Sequence, residues 1–142
     1  MTANFHRSTV PDGPTSVLLA EDDPEMRRML SARLRRWGLS VIEAEDGTHL
    51  AALIDSLVVR RSATAPFTID LVISDVRMPG ASGLEILSLL RAHDPMIPVI
   101  LMTAFGGADL HAEAERLGAD AVFDKPFDID DLCTAVVNLV SP

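Results

Sequence analysis

With 142 residues, the chain is long enough for one domain with a mainly aliphatic core, since it contains no tyrosine and five phenylalanines. Its formal charge of −9 argues against nucleic acid and anionic membranes as partners, because both would repel it. The single cysteine, Cys133, excludes an internal disulfide and a thiolate metal cluster, and the lack of any signal-like or membrane-spanning run predicts a cytoplasmic protein.

The predicted elements alternate along the chain between short strands and helices. Residues 1–14 mix polar side chains with proline and glycine and are predicted to be a disordered tail before one domain over residues 15–142. Residues 60–68 are irregular, and both a surface insertion and an extra helical turn stay open for them. The five predicted strands lie at residues 16–20, 39–44, 70–74, 98–102 and 121–124, and a predicted helix follows each of them. This order is typical of βαβ units around a parallel sheet, which is an α/β fold.

Four of these strands end on side chains that suit phosphoryl chemistry. The first strand runs into Glu21, Asp22 and Asp23, the third into Asp75, the fourth into Thr103, and the fifth into Lys125, the only lysine of the chain. In open α/β sheets the ligand site lies beyond the carboxyl ends of the strands. The sequence therefore predicts that these side chains meet at one edge of the sheet.

The chemistry of this set indicates a magnesium-dependent site in which Asp75 accepts a phosphoryl group. Asp75 is ionised at neutral pH and needs no base to act as a nucleophile. Mg²⁺ prefers oxygen ligands and would offset the repulsion between the acidic residues and an anionic donor. Lys125 and Thr103 would supply a charge and a hydrogen bond to phosphoryl oxygens. Each residue alone is typical of a cap, a turn or a surface position, so the prediction depends on their joint occurrence.

The segments around these strand ends resemble the receiver domain of two-component response regulators, over about residues 15–140. The matching segments are LAEDDP at 19–24, SDVRMPG at 74–80 with Gly83, MTA at 102–104, GAD at 118–120 and DKPF at 124–127. The resemblance implies a doubly wound, CheY-like (βα)5 fold with strand order 2-1-3-4-5. It also implies a cis peptide bond between Lys125 and Pro126.

The resemblance further assigns roles to the acidic residues. It implies that Asp22 and Asp75 bind Mg²⁺ directly, that Glu21 acts through a water molecule, and that the backbone carbonyl of Arg77 completes the protein ligands. Asp23 is expected to cap the first helix instead. The phosphoryl donor would be a histidine kinase or a histidine phosphotransfer protein, and small donors such as acetyl phosphate are also expected to serve.

One position departs from the family pattern. Three residues before Lys125 the family usually has Tyr or Phe, which moves inward with the threonine, whereas this chain has Val122, a residue with few rotamers. Phe123 is expected to belong to the core of the last strand. Switching is therefore predicted to depend on Thr103 and on the loop at residues 105–107.

Two further positions predict the lifetime of the phosphorylated state. Arg77 and Phe105 lie two residues past the acceptor and the threonine, at positions that flank the route of the attacking water in the family. Both side chains are bulky. Self-dephosphorylation is therefore expected to be slow.

The remaining polar residues carry weaker signals. The four histidines are scattered without a ligand spacing and are expected at the surface or as caps: His6, His49, His93 and His111. The first predicted helix carries a basic stripe that suits either a solvated face or kinase docking: Arg27, Arg28, Arg33, Arg35 and Arg36. Cys133 lies on an apolar helical face and is expected to be buried.

Three classes of function fit these residues to different degrees. A signalling module switched by phosphorylation fits best, and it implies a downstream target and a possible homodimer. An aspartyl phosphatase is disfavoured, because Arg77 stands where such enzymes often carry an acid and no nucleotide-binding loop is present. A receiver-like binding module without phosphorylation is the alternative, although the complete residue set argues against it. The sequence ends at Pro142 without an output domain, so a stand-alone receiver and the first part of a longer regulator both stay open.

Overall fold

A computed structural model of the chain describes residues 15–61 and 69–141, with all side chains except those of residues 57–61. The strands are β1 (Ser16–Ala20), β2 (Ser40–Ala44), β3 (Leu71–Asp75), β4 (Val99–Thr103) and β5 (Ala121–Asp124). The helices are α1 (Pro24–Arg36), α2 (Gly47–Arg61), α3 (Gly83–His93), α4 (Ala108–Leu117) and α5 (Ile129–Val140). The predicted tail at 1–14 and residues 62–68 of the irregular segment lie outside the described residues.

The five strands form one parallel sheet in the order β2-β1-β3-β4-β5. This order confirms the doubly wound (βα)5 fold expected from the resemblance. Strand β3 lies at the centre between β1 and β4, so its carboxyl end is flanked by the ends of two other strands. None of the helices in the described part of the chain is long and apolar enough to cross a membrane.

Helices cover both faces of the sheet, which explains why its central strands are continuous apolar runs. Along β1, Val17 and Leu19 point to the side of α1 and α5, whereas Leu18 and Ala20 point to the side of α2, α3 and α4. The first side is closed by buried helical residues Leu30, Leu34, Leu132, Cys133 and Val136, and the second by Leu50, Ile54, Ile86, Leu87, Leu90 and Ala114. The burial of Cys133 confirms its prediction as an apolar core residue.

Capping side chains fix where the helices next to the sheet edge begin. The Asp23 carboxylate accepts a hydrogen bond from the Glu25 amide at 3.0 Å, which confirms the predicted cap of α1. Ser82 and Glu85 form a reciprocal capping box at the start of α3, with bonds of 3.1 and 2.8 Å. Both caps hold the loops that leave β1 and β3.

The loop after β3 packs closely against the start of α2. The Gly47 amide donates a hydrogen bond to the Pro79 carbonyl at 3.0 Å. A Cβ atom on Gly47 would lie 2.5 Å from the backbone nitrogen of Ala81 and closer still to its carbonyl oxygen. Only a glycine leaves room for this approach, which fixes the course of the chain just beyond Asp75.

Candidate functional site

Three carboxylates from two neighbouring strands converge at the carboxyl edge of the sheet. Asp75 is the last residue of β3, and Glu21 and Asp22 directly follow β1, which pairs with β3 through Ala20 and Ser74. One oxygen atom from each of the three carboxylates lies within 4.8 Å of the others. Glu21 and Asp75 are buried, with 1% and 6% of their surface exposed, whereas Asp22 is exposed. The structure thus brings together the acidic residues that the sequence singled out.

Lys125 joins two of these carboxylates. Its Nζ donates a hydrogen bond of 2.7 Å to Oε1 of Glu21 and one of 2.8 Å to Oδ2 of Asp75. Lys125 directly follows β5, and its peptide bond to Pro126 is cis, as expected. The ammonium group therefore lies between Asp75 and the start of the acidic segment, where it offsets part of their negative charge.

The environment raises the pKa of both Glu21 and Lys125, but for different reasons. Burial raises the pKa of Glu21 to about 6; hydrogen bonds from Lys125 and the Asp23 amide oppose this rise, and the charge of Asp75 adds to it. Burial alone would lower the pKa of Lys125, but its hydrogen bonds to Asp75 and Glu21 and their charges carry it above its usual value. At neutral pH the pair is therefore ionised, with a buried carboxylate held beside an ammonium.

The raised pKa of Glu21 predicts a pH dependence of stability in the metal-free protein. Its pKa is about 6 in the folded chain and 4.5 without the fold, so the folded state holds the proton more tightly. The resulting stabilisation is complete below pH 4.5 and is lost as the pH rises through about 6. We expect wild type to lose about 2 kcal/mol more than Glu21→Gln across this range. Urea unfolding at a series of pH values measures this difference in stability. Equal pH profiles for the two proteins would contradict a raised pKa of Glu21 in the folded state.

Thr103 and Arg77 complete the surroundings of Asp75. Thr103 ends β4 and is buried, and its hydroxyl oxygen accepts a hydrogen bond from the Phe105 amide at 3.1 Å. The Arg77 amide donates a bond of 3.3 Å to Oδ1 of Asp75. The Asp75 carboxylate is thus held at one oxygen by Lys125 and at the other by the backbone of its own loop. The Thr103 hydroxyl engages the loop after β4, and the role of the Arg77 carbonyl as a metal ligand stays a prediction.

The residues of β5 before the lysine face both sides of the sheet. Val122 packs against the core beneath α2, α3 and α4, and Phe123 packs against the opposite core. The Phe123 ring lies 5.4 Å from that of Phe127, and Phe123 is only partly buried. The side chain three residues before Lys125 is thus a valine packed against one core, and the neighbouring aromatic ring packs on the opposite side of the sheet.

A contact between His111 and Asp124, the residue before Lys125, was not predicted from the sequence. The Nε2 atom of His111 in α4 lies 3.0 and 3.1 Å from the two carboxylate oxygens of Asp124, and a side chain on Gly106 would meet the same carboxylate. His111 is thus a partly exposed residue that links α4 to the end of β5 through Asp124, a role that the sequence did not predict. His49 lies in the first turn of α2, where its Nδ1 accepts a bond of 3.3 Å from the Glu45 amide, but the side chain that caps this turn is Asp46, which accepts a bond of 2.8 Å from the His49 amide. No spacing in the sequence indicates the pairing of His111 with Asp124.

The basic stripe of α1 is largely engaged within the molecule. Arg33 pairs with Asp130 at 2.7 Å, and Arg35 lies 3.6 Å from Glu43. Arg27 donates one bond of 2.7 Å to the carbonyl of Glu21 and another of 3.2 Å to Glu43. The contact to the acidic segment was not foreseen, since it depends on how the chain turns between β1 and α1.

The comparisons with known proteins agree with this arrangement. The family model of the response regulator receiver domain matches residues 17–137. The DNA-binding transcriptional regulator NtrC of Salmonella typhimurium is 35% identical over 125 residues, which are 88% of this chain but 24% of that protein. Sporulation initiation phosphotransferase F of Bacillus subtilis is 37% identical over 120 residues, which are 84% of this chain and 89% of that protein.

A solved structure with a similar fold is also that of a response regulator. Response regulator protein TrrA of Thermotoga maritima, solved in complex with Mg²⁺-BeF, has a TM-score of 0.73 and 29% identity, covering 88% of this chain and 98% of that chain. This chain spans about a quarter of the length of NtrC and most of the length of the other two proteins. The fold, the sheet edge and the matched residues together establish that the chain belongs to the family of response regulator receiver domains.

Proposed function

We propose that residues 15–142 form a receiver domain that accepts a phosphoryl group on Asp75 in a Mg²⁺-dependent reaction. The observation that carries this proposal is the buried Asp75 carboxylate, held by Lys125 at 2.8 Å, with two further carboxylates within 4.8 Å. The donor is a phosphohistidine on a histidine kinase or a histidine phosphotransfer protein, and a cytoplasmic location fits this exchange. The partner that reads the phosphorylated state is a separate downstream target.

The residues of the site fit a magnesium ion. Carboxylate oxygens are hard ligands of the kind Mg²⁺ prefers, and the three carboxylates offer one oxygen each within a short distance of one another. Asp22 and Asp75 would bind the ion directly, with Glu21 acting through water and the Arg77 carbonyl adding a ligand. When bound, the ion neutralises the cluster and orients a phosphoryl oxygen. The binding of Mg²⁺ is supported by one relative, TrrA, which was solved in complex with Mg²⁺-BeF.

The side chains of the site account for the transfer step. An Asp75 carboxylate oxygen attacks the phosphorus, the bond between phosphorus and the donor nitrogen breaks, and its electron pair returns to the imidazole. Lys125 already contacts the acceptor, and its charge stabilises the transferred oxygens. An open cleft lined by Asp22, Val76, Arg77 and Met78 lies along the residues that follow Asp75 and offers space for the donor on that side of the site.

The proposal is tested by the intact mass of the protein after incubation with acetyl phosphate. Wild type is expected to gain one phosphoryl group with Mg²⁺ and none with EDTA, whereas Asp75→Asn gains none in either buffer. Asp109→Asn, an exposed aspartate in the first turn of α4, serves as the matched control and is expected to behave like wild type. If wild type gains no phosphoryl group and binds no Mg²⁺, the chain is a receiver-like binding module that acts without phosphorylation.

Switching is proposed to depend on the bond between Thr103 and the loop after β4. In the structure the Thr103 hydroxyl accepts from the Phe105 amide, so a turn of this hydroxyl towards a phosphoryl oxygen would break that bond and release residues 105–107. Val122 cannot supply the ring movement that other receivers use. Backbone NMR shifts of Phe105 and Gly107 are expected to move on addition of BeF₃⁻ with Mg²⁺. Unchanged shifts at both residues would contradict this mechanism.

A slow loss of the phosphoryl group is expected from the pairing of Arg77 with Phe105. The Arg77 guanidinium lies 4.9 Å from the centre of the Phe105 ring, and both residues are anchored by backbone amides to Asp75 and Thr103. The pair would hinder the approach of water to the acyl phosphate. Phe105→Ala should shorten the phosphoryl lifetime about tenfold, which corresponds to about 1.4 kcal/mol of barrier.

The lifetime is measured by following the decay of the phosphorylated mass after removal of the donor. Met96→Ala provides the control, because Met96 is also a large exposed apolar side chain but lies before β4 at the opposite end of the sheet. A wild-type half-life of seconds, or a Phe105→Ala lifetime equal to that of wild type, would refute the proposed shielding.

A further inference from the structure

Arg27 of α1 reaches back to the peptide group that joins Glu21 to Asp22. Its Nη1 donates a hydrogen bond of 2.7 Å to the Glu21 carbonyl, and its Nε donates one of 3.2 Å to Glu43 on β2. The guanidinium is mostly buried, with 16% of the side chain exposed. A planar guanidinium held at two points has little freedom, so it fixes the atom to which it donates.

The Glu21 carbonyl lies just past the last ladder residue of β1. On the other side of the same residue, the Glu21 amide donates to the Ala44 carbonyl at 3.2 Å, so β2 and Arg27 hold the Glu21 backbone from both ends. The next residue is Asp22, whose carboxylate has no hydrogen-bond or ion-pair partner among the described residues. Among these residues no side-chain partner fixes its direction, so the plane of the Glu21–Asp22 peptide, which sets the direction of the Asp22 Cα–Cβ bond, is the main restraint on where the carboxylate can reach.

We infer that Arg27 is a positioning residue for the acidic cluster: by fixing the Glu21 carbonyl, it aims the Asp22 carboxylate at the metal position beside Asp75. This inference rests on the proposed Mg²⁺ site. It assigns Arg27 a role inside the site instead of on a solvated or docking face of α1. Groups that orient metal ligands typically change metal affinity by 10- to 100-fold when they are removed.

The sign of the effect separates positioning from simple charge. Arg27 is a cation near a cation site, so loss of its charge alone would strengthen Mg²⁺ binding. Loss of positioning weakens binding. Arg28 lies next along the same helix, is exposed, and makes no contact with Glu21 within the described residues. Arg28→Gln therefore removes the same charge without disturbing the peptide, and it is the matched control for Arg27→Gln.

The experiment measures Mg²⁺ dissociation constants of the full chain by calorimetry, together with ¹⁵N shifts of the metal-free protein. For Arg27→Gln we expect a dissociation constant raised about tenfold and a displaced Asp22 amide, which directly reports the Glu21 carbonyl. Arg28→Gln should keep the Asp22 shift and bind Mg²⁺ at least as tightly as wild type. Arg27→Lys keeps the charge and a single donor group, so its Mg²⁺ dissociation constant should lie between those of wild type and Arg27→Gln. If Arg27→Gln does not fold, Arg27→Lys takes its place in the experiment.

The outcomes distinguish the inference from the function on which it rests. Mg²⁺ binding by Arg27→Gln as tight as that of wild type, or an unmoved Asp22 amide, overturns the positioning role. Equal weakening in Arg27→Gln and Arg28→Gln overturns it as well. If wild type itself binds no Mg²⁺, the proposed metal site fails, and the Asp22 shift in the metal-free protein then shows whether Arg27 still fixes the peptide.

Discussion

Replacement of Lys125 by methionine is expected to destabilise the metal-free protein by about 3 kcal/mol at neutral pH, because one partner is removed from a buried ion pair. The Lys125 ammonium contacts Glu21 at 2.7 Å and Asp75 at 2.8 Å, and both carboxylates are almost completely buried. Without the ammonium these carboxylates face each other and Asp22 uncompensated. Methionine retains the apolar length of the side chain, so the change isolates the charge.

Mg²⁺ should reverse much of this loss. The cation would neutralise the carboxylates that lose the ammonium, so the Lys125→Met variant is expected to bind Mg²⁺ more tightly than wild type and to gain more stability from it. Urea unfolding in EDTA and in saturating Mg²⁺ measures both effects. Arg116→Met is the control, since Arg116 also pairs with a carboxylate, that of Glu113, but at an exposed position where no comparable loss is expected. An equal loss of stability in both buffers would contradict a metal site at these carboxylates.

Gly47→Ala is the second substitution with a large expected effect. A Cβ at this position would lie 2.5 Å from the Ala81 nitrogen and closer to the Ala81 oxygen, so α2 and the loop after Asp75 must move apart. The hydrogen bond from the Gly47 amide to Pro79 would be strained as well. We expect a loss of about 3 kcal/mol in the free energy of unfolding, although alanine is otherwise the better helix former.

Gly107→Ala is the matched control for this prediction. A Cβ on Gly107 would meet nothing within 4 Å, and the backbone there is extended. Because Gly107 is the N-cap of α4, its replacement by alanine should lower the free energy of unfolding, but by less than about 1 kcal/mol. Equal free energies of unfolding for the two variants would show that the loop after Asp75 adjusts freely to α2, which contradicts the close packing of this loop against Gly47.

Much of this fold is predictable from the sequence because its central strands are buried on both faces. Residues 17–20 and 99–102 are fully buried and form continuous apolar runs. Both the strands and the polar residues that follow them can therefore be recognised in the sequence. The acidic cluster follows from the same reasoning, since parallel strands end at one edge. The strand order, by contrast, came from the family resemblance, because the apolar pattern alone does not specify which strands are neighbours.

The parts that escaped prediction depend on backbone geometry between the elements. Arg27 reads as one member of a basic stripe, and its contact with the Glu21 carbonyl exists only because of the turn between β1 and α1. His111 meets Asp124 because α4 returns to β5, and no periodicity brings that pair together. Helical spacing also does not tell which apolar residues of α1 are buried: Met29 and Trp37 continue the apolar pattern of Leu30 and Leu34 but are 49% and 41% exposed.

The central claim is that Asp75 itself carries the phosphoryl group, and reductive trapping tests it most directly. Borohydride converts an acyl phosphate of aspartate to homoserine, whereas a free carboxylate does not react. After incubation with acetyl phosphate and Mg²⁺, peptide mass spectrometry is predicted to find homoserine at position 75 alone, and no conversion in EDTA. Homoserine at position 21, 22 or another aspartate or glutamate, with residue 75 unchanged, would show that a different carboxylate is the acceptor.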